Sequence, residues 1–378
     1  MSTDSSDRPD VSIVVPALNE AENLPALARR VARAMAGRRY ELIIVDDASR
    51  DATPQVCAEL AKSHPLSLLV RDDPKDGLSG AVLHGFARAA GDTLVVMDAD
   101  LQHPPERLPA LLEPLETGDA DFVIGSRYAP GGSTREQWGI FRKINSRVAT
   151  MLARPFAVPR VTDPMSGFFA LRRSTFDAAR RLTPLGYKIG LELMCKCRVR
   201  NVREVPIDFV TREHGRSKLT LKQQFKYLEH LSRLYDYTFP RAAPVIKFLI
   251  ALACGWGVAL GVYGAIVRAG ARDVWAPVLA YPAAILVTAV FHLRYVRTQR
   301  EFIVRPHPWR DFWVISLAEW ATCALAAMWL TSRVDPITWW ELFVLSFGAA
   351  TVTRYVLRKE FLQDIRGLRK ELRRDEIV

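Results

Sequence analysis

VVMDADLQHPPE, residues 95–106, is an apolar run that ends in two carboxylates, Asp98 and Asp100, with one small residue between them. In an extended chain the side chains at i and i+2 share a face, so Asp98 and Asp100 converge, and Gln102 continues the row if the strand persists. Two acidic groups aimed together at the end of a buried strand imply a cation. Hard oxygen ligands suit Mg²⁺ or Mn²⁺, and Mg²⁺ is commonly shared between one or two carboxylates and substrate phosphates. A lone Asp-x-Asp is otherwise read as a turn residue and a helix cap ahead of Pro104 and Pro105. The apolar strand, the small Ala99 and acidic strand ends elsewhere favour the metal site.

Outward from this stretch, short apolar strands alternate with helical patterns: VSIVVPA (11–17), a helix over 21–35, ELIIVDD (41–47), a helix over 53–61, LSLLV (66–70), a helix over 79–89, and DFVIGSR (121–127). The alternation predicts an α/β domain with a Rossmann-like, mainly parallel sheet, whose ligands bind beyond the carboxyl ends of the strands. Those ends carry Pro16, Asn19 and Glu20, then Asp46 and Asp47, then Asp98 and Asp100. Three polar strand ends beside one crevice suit a sugar nucleotide, with carboxylates accepting from base and ribose and a metal at the diphosphate. Ser49 and Asp51 read equally well as an Asx turn and helix cap. KDGLSGA (75–81) lacks the ending of a phosphate loop and reads as a turn into a helix.

The mean hydropathy of +0.02 averages two unlike halves of the 378 residues. Beyond residue 240 come four apolar segments, 245–267, 274–293, 312–330 and 337–353. Each approaches the roughly 20 residues that cross a bilayer, and Trp275, Trp309, Trp313, Trp339, Trp340 and Tyr355 crowd their ends as interface anchors do. Four transmembrane helices are expected. Arg294, Arg297, Arg300, Arg305 and Arg310 gather between the second and third segments, and more basic residues follow the fourth, which places that loop, the tail and the N-terminal domain in the cytoplasm. The expected location is a multi-pass protein of the inner (cytoplasmic) membrane. MSTDSSDRPD at the start is not a signal peptide, and five scattered cysteines fit a reducing compartment, with Cys195 and Cys197 too isolated for zinc. The net charge of +11 concentrates near the apolar segments, which favours anionic lipid over nucleic acid.

PALNEAENL (16–24), IIVDDASRDAT (43–53), VVMDADLQHPPE and GSRY (125–128) together resemble the family 2 inverting glycosyltransferases of the GT-A fold, in particular the dolichol-phosphate mannose synthases and their bacterial polyprenyl-phosphate relatives. The resemblance covers about residues 10–238. FHLRYVRTQREF (291–302) and TRYVLRKEF (353–361) are similar to a four-helix GtrA-like membrane module. The implied organisation is a disordered N-terminus (1–10), a cytoplasmic GT-A domain (11–215), amphipathic interfacial helices (216–240), the transmembrane domain (241–358) and a basic tail (359–378).

By this resemblance Asp98, Asp100 and Gln102 hold Mg²⁺ or Mn²⁺. Pro16, Leu18, Glu20, Val45, Asp46 and Asp47, with Asp98 and Ala99, line the donor nucleotide pocket. Arg127, with Arg142 and Ser146 of WGIFRKINSR (138–147), contacts the acceptor phosphate, and Arg212 and Lys218 of TREHGRSKL (211–219) meet phosphates. Asp100, Arg127, Arg212 and Lys218 form the implied catalytic set. The implied reaction is inverting transfer of one hexose, mannose from GDP-mannose first and glucose from UDP-glucose next, onto a polyprenyl or dolichyl phosphate at the cytoplasmic face. No QxxRW segment of processive synthases is present, which fits single-sugar transfer.

A phosphate monoester, with a second pKa near ~6, is already largely ionised at neutral pH and needs no general base. Asp163 of DPMSGFF (163–169) and Glu192 of GYKIGLEL (186–193) remain candidates for sugar hydroxyl contacts, Asp163 more as pocket lining, or for base duty if the acceptor is a lipid alcohol such as diacylglycerol. In SKLTLKQQFKYLEHLSRLYDY (217–237), Leu221, Phe225, Leu228 and Leu231 recur at helical spacing among Lys222, Lys226 and Arg233, which predicts an amphipathic helix at the membrane surface. Glu319 lies deep in a predicted span, where it reads equally as a functional carboxylate partnered by Arg294 or His292 and as a helix-packing hydrogen bond. A different class of function is a lipid-handling or flipping membrane protein whose soluble domain senses nucleotide sugar. Self-association into a homo-oligomer is left open.

Overall fold

Strand β1 (Val11–Ala17) is apolar at nearly every position, the pattern of a strand covered on both faces, and it lies inside the main sheet. The computed structural model describes residues 8–72, 74, 76–134, 148–157, 161–179, 182–183, 185–197, 199–210, 221–270, 275–291, 308–334 and 336–357. The chain divides into two units, Met1–Leu234 and Tyr235–Val378.

In the first unit β1 pairs in parallel with β2 (Tyr40–Asp46) and β4 (Thr93–Val96), and β2 with β3 (Leu66–Val70). The sheet continues through β7 (Phe169–Arg172) to β5 (Phe122–Ser126) and β8 (Val202–Pro206), giving the order β3-β2-β1-β4-β7-β5-β8. Only β7 runs antiparallel among these seven strands, against β4 and β5. A small parallel pair, β6 (Ser133–Thr134) with β9 (Asp208–Phe209), stands apart from it. The mainly parallel α/β sheet is as the alternation predicts.

On one face, α1 (Leu24–Ala34) and α4 (Leu108–Glu116) bury Leu27, Val31, Leu111 and Leu115 in one cluster with Ile13, Val15, Val95 and Val123. Between them in sequence lie α2 (Thr53–Leu60) and α3 (Gly77–Arg88). Of the stretch 75–81, Lys75 lies outside the described residues and α3 already begins at Gly77. That helix presses Gly85 against the sheet: a Cβ there would stand 2.4 Å from Val14 Cγ1, so only glycine permits the approach. A helical segment over 148–153 (α5), α6 (Arg173–Asp177), α7 (Ile189–Lys196) and α8 (Leu221–Thr238) follow.

One expectation is overturned at the strand that opened the sequence reading. β4 ends its pairing at Val96, and residues 99–101 form a turn. Leu101 adopts φ 61°, which breaks the extended alternation, so Asp98, Asp100 and Gln102 are not successive teeth of one strand. The turn instead places the Gln102 N–H on Asp100 and the Asp98 N–H on His103.

The second unit contains α9 (Ala243–Arg268), α10 (Trp275–Phe291), α11 (Pro308–Arg333) and α12 (Trp339–Leu357). Val245–Arg268 and Phe312–Arg333 are long and apolar enough to cross a membrane, and 17% and 28% of their most apolar stretches are buried, which is unlike the core helix of a soluble protein. Large apolar side chains face outward, including Leu249, Leu286, Leu325 and Trp329. Small residues, Ala259, Ala276, Ala280, Ala284 and Ala350, pack inward with Tyr281, Phe343 and Phe347. Glu319 is fully buried; Arg294 and His292, its expected partners, lie outside the described residues, and Arg354 Nε stands 3.0 Å from Glu319 Oε1. Arg354 also donates to Thr288 Oγ1 at 3.2 Å. Arg354, which follows the fourth apolar segment in sequence, is thus paired with a buried carboxylate inside the helix bundle.

Candidate functional site

The carboxyl ends of β1, β2 and β4 each run into a loop containing one non-glycine residue with positive φ: Asn19 at 55°, Ala48 at 59° and Leu101 at 61°. Among the described residues these are all there are. Asn tolerates this conformation, whereas Ala and Leu each carry roughly 1–2 kcal/mol of strain in it. All three therefore stand at the carboxyl end of the parallel strands.

Local hydrogen bonds hold the first two loops together. Asn19 Oδ1 accepts the Arg50 N–H at 2.8 Å, and Ser49 Oγ accepts the Asn19 N–H at 2.7 Å. Ser49 in turn donates its hydroxyl and its N–H to the Asp46 carboxylate. The Asp47 N–H reaches the Ala17 carbonyl at 3.0 Å. Asp51 accepts from the Thr53 and Ala21 N–H groups at 3.0 and 3.1 Å, the former an Asx turn.

Of the expected donor-pocket residues, Leu18 is exposed and Pro16 and Glu20 are partly so, on the loop after β1. Val45 and Asp46 are buried, Asp46 facing Ser49. Asp47 stands at the edge, where Arg71 Nη1 donates to its Oδ1 at 2.8 Å. Burial pushes the Asp47 carboxyl up from the usual range, against the pull of Arg71. Arg71 also reaches the Gly77 carbonyl at 3.0 Å, tying the β3–α3 connection to the end of β2.

At the third loop the Asp98 side chain is 35% exposed, Asp100 is buried and Ala99 lies beneath them. Gln102 donates its backbone N–H to Asp100 Oδ1 at 3.2 Å and its side-chain Nε2 to the Val210 carbonyl at 3.0 Å, so the amide nitrogen is anchored. His103 Nδ1 accepts the Asp98 N–H at 3.2 Å and closes the turn. Stacked on Phe168 and fully buried, its imidazole is pushed down to about 4, chiefly by burial, and is neutral.

Gly167 keeps space open over this turn. A Cβ there would lie 3.4 and 3.5 Å from the two Asp98 oxygens and 3.3 Å from His103 Cε1. Among the described residues no three His, Cys, Asp or Glu side chains form a closed metal cage. Two carboxylates and an amide oxygen under an open glycine instead fit an Mg²⁺ or Mn²⁺ that completes its shell with phosphate and water.

Arg127 follows β5 and meets Asp163 in a fork, Nε to Oδ2 and Nη2 to Oδ1 both at 2.7 Å. Phe209 and Tyr128 lie 5.3 and 5.2 Å from its guanidinium carbon. Burial works against its charge, but the fork holds its pKa above the ordinary value. Lys188, just before α7, donates to the Met165 carbonyl at 2.5 Å. Burial, then Arg127, pushes its ammonium down to about 8.

Glu192 is fully buried and bonded to Lys196 (2.6 Å) and to the Thr183 N–H (2.7 Å), which makes it an interior anchor. Arg142, Ser146, Arg212 and Lys218 lie outside the described residues. Sequence reading missed His103, Lys188 and Arg71. His103 stood inside the opening stretch, and Lys188 was a cation in an otherwise apolar segment, but neither residue reveals its partner locally.

Residues 12–179 match glycosyl transferase family 2. The dolichol-phosphate mannosyltransferase of Mycosarcoma maydis is 40% identical over 258 residues, 66% of this chain and 86% of that protein. The chain belongs to glycosyl transferase family 2. The enzyme of the same description from Saccharomyces cerevisiae is 39% identical over 241 residues, 61% of this chain and 88% of that one. The counterpart from Pyrococcus furiosus is 44% identical over 230 residues, 60% of this chain but 64% of its own length, so this glycosyltransferase spans less than two thirds of its archaeal relative. Among solved structures, glucosyl-3-phosphoglycerate synthase from Mycobacterium tuberculosis, in complex with Mn²⁺, uridine-diphosphate and phosphoglyceric acid, aligns with a TM-score of 0.46 at 20% identity, over 61% of this chain and 79% of that one. The resemblance of the N-terminal motifs to family 2 glycosyltransferases is borne out.

Proposed function

We propose that the first unit transfers one mannose, with inversion, from GDP-mannose to a dolichyl or polyprenyl phosphate at the cytoplasmic membrane face. UDP-glucose is the next donor to test. The observation that carries this reading is the position of Asp98, Asp100 and Gln102 in a strained turn at the same end of the sheet as Asp47 and the Arg127–Asp163 pair. The mannosyltransferase relatives supply the sugar and the acceptor class.

A divalent ion bound there offsets the negative charge that builds on the leaving diphosphate. Asp98 and Asp100, with the Gln102 oxygen, would hold it. Pro16, Leu18, Glu20 and Asp47 would border the nucleoside, with Val45, Asp46 and Ala99 as the floor that fixes them. Arg127, already oriented by Asp163, would face the acceptor phosphate together with Arg142 and Ser146, and Arg212 and Lys218 would meet the phosphates. A phosphate acceptor suits this site because both candidate bases are committed elsewhere: Asp163 to Arg127, Glu192 to Lys196 and Thr183.

In α8, Tyr227, His230, Leu231 and Leu234 are buried while Phe225 and Leu228 face outward, which supports an interfacial helix that carries the site at headgroup depth. The reading extends to four membrane spans of a GtrA-like module, with the basic loop and tail in the cytoplasm. Substituting Asp100→Asn tests the assignment. Mannosyl transfer is expected to fall by at least 100-fold with membrane insertion and thermal stability intact; a variant retaining most turnover removes Asp100 from the chemistry.

A further inference from the structure

Asp163, Met165 and Gly167 occupy alternate positions of one short segment, and each meets a different charged group of the site. Asp163 takes the fork of Arg127, the Met165 carbonyl takes Lys188 Nζ, and Gly167 lies against the Asp98 carboxylate. The segment thereby brings a lysine, which sequence reading did not single out, into the same cluster as the turn that would hold the metal and the arginine expected to face the acceptor.

The charges in this cluster are not equally available. Both oxygens of Asp163 engage Arg127, with an additional bond from the Arg127 backbone N–H at 3.1 Å, so that guanidinium is largely neutralised where it stands. An ammonium has three donor hydrogens. Among the described residues Lys188 forms no ion pair: its hydrogen-bond acceptor is a neutral carbonyl, and the Tyr187 ring lies 4.9 Å from Nζ. Arg127 repels it, and its partial burial removes water that would otherwise solvate the charge. An incoming oxyanion relieves both penalties and takes up the unused donors.

We infer that Lys188 is a fixed cation that directly contacts a phosphate oxygen in this site, either of the donor diphosphate or of the acceptor monoester. The inference rests on the proposed reading of the site as one that handles both phosphates. Charge-assisted hydrogen bonds of this kind correspond to about 10- to 100-fold in affinity.

The test uses the full-length chain in lipid nanodiscs, as wild type, K188Q, K188M and K188R, with thermal unfolding to establish folding. Binding of GDP with Mg²⁺ is measured calorimetrically without lipid, binding of a short-chain polyprenyl phosphate is measured separately, and KM for dolichyl phosphate is taken from the transfer assay. A donor contact weakens GDP binding about tenfold or more in K188Q. An acceptor contact leaves GDP binding unchanged, weakens the short-chain phosphate and raises KM for dolichyl phosphate by a similar factor. In either case K188R recovers most of the loss, which a purely structural lysine need not show. If K188Q does not fold, K188M removes the charge while keeping an unbranched chain, and the same outcomes apply. A folded charge-removing variant with both affinities within twofold of wild type overturns the inference. If wild type transfers no sugar, the proposed reaction fails, while the two binding measurements still decide whether Lys188 meets phosphate.

Discussion

Arg127 and Asp163, 36 residues apart, meet in a two-pronged ion pair with both bonds at 2.7 Å, the carboxylate fully buried and the guanidinium side chain 13% exposed. This pair ties the end of β5 to the segment that leads into β7. Replacing Asp163 with Ala leaves a buried guanidinium without its counter-charge, a change that typically costs about 3–5 kcal/mol. The thermal midpoint is expected to fall and transfer to be lost; Asp163→Ala with wild-type stability would show that the fork is incidental.

Glu192 gives a pH dependence with a definite sign. Burial alone would raise its pKa, but His230 and Lys196 together bring the carboxyl down to about 2. A folded-state value below the unfolded one contributes stability that is present above pH ~4.5 and lost as pH falls through the window down to ~2, by an order of ~3 kcal/mol at most. Hydrogen exchange of α7 and α8 should therefore accelerate across that window in wild type. In Glu192→Gln the acid-dependent component should disappear.

Gly167 is predicted to matter for metal affinity more than for folding. Its φ is not in the left-handed region, and an added methyl would press on His103 and on both Asp98 oxygens at 3.3–3.5 Å. Gly167→Ala is expected to raise the Mg²⁺ or Mn²⁺ concentration for half-maximal activity by about tenfold, as displaced supporting contacts do at metal sites, with little change in thermal midpoint. An unchanged metal titration would place the ion away from Asp98.

The buried pair Glu319–Arg354 predicts a non-additive result in the second unit. Replacing either partner alone leaves an uncompensated charge among helices, whereas the double substitution to Leu removes both penalties. Unfolding in detergent should show Arg354→Leu destabilised by about 3 kcal/mol or more and the double variant closer to wild type. Additive losses would mean that the two side chains act independently.

The parallel core was legible because β1, β2 and β3 are continuous apolar runs separated by helical periodicity. β7 was not, since FALR is a short strand whose antiparallel neighbours β4 and β5 are far from it in sequence. The acidic turn was found for the right residues by the wrong geometry: i,i+2 spacing suggests a strand, but the left-handed Leu101 and the His103 acceptor fold those residues into a turn. Arg127 and Asp163 were each visible as polar residues near strand ends, yet their pairing is a property of the sheet order. Lys188 was hidden for the same reason, because its acceptor is a backbone carbonyl that no side-chain pattern records. The apolar helices were legible from length and their aromatic ends, whereas the Glu319 partner depended on which helix packs beside α11.

The most direct measurement is a transfer assay on membranes containing the full chain, with dolichyl or undecaprenyl phosphate and a panel of GDP- and UDP-sugars, run with Mg²⁺ or Mn²⁺ and again with EDTA. The account predicts one mannosyl-phosphate lipid formed from GDP-mannose, dependent on the metal. A folded, membrane-inserted protein that forms no glycosyl-phosphate lipid from any donor, or forms it equally well in EDTA, would contradict it.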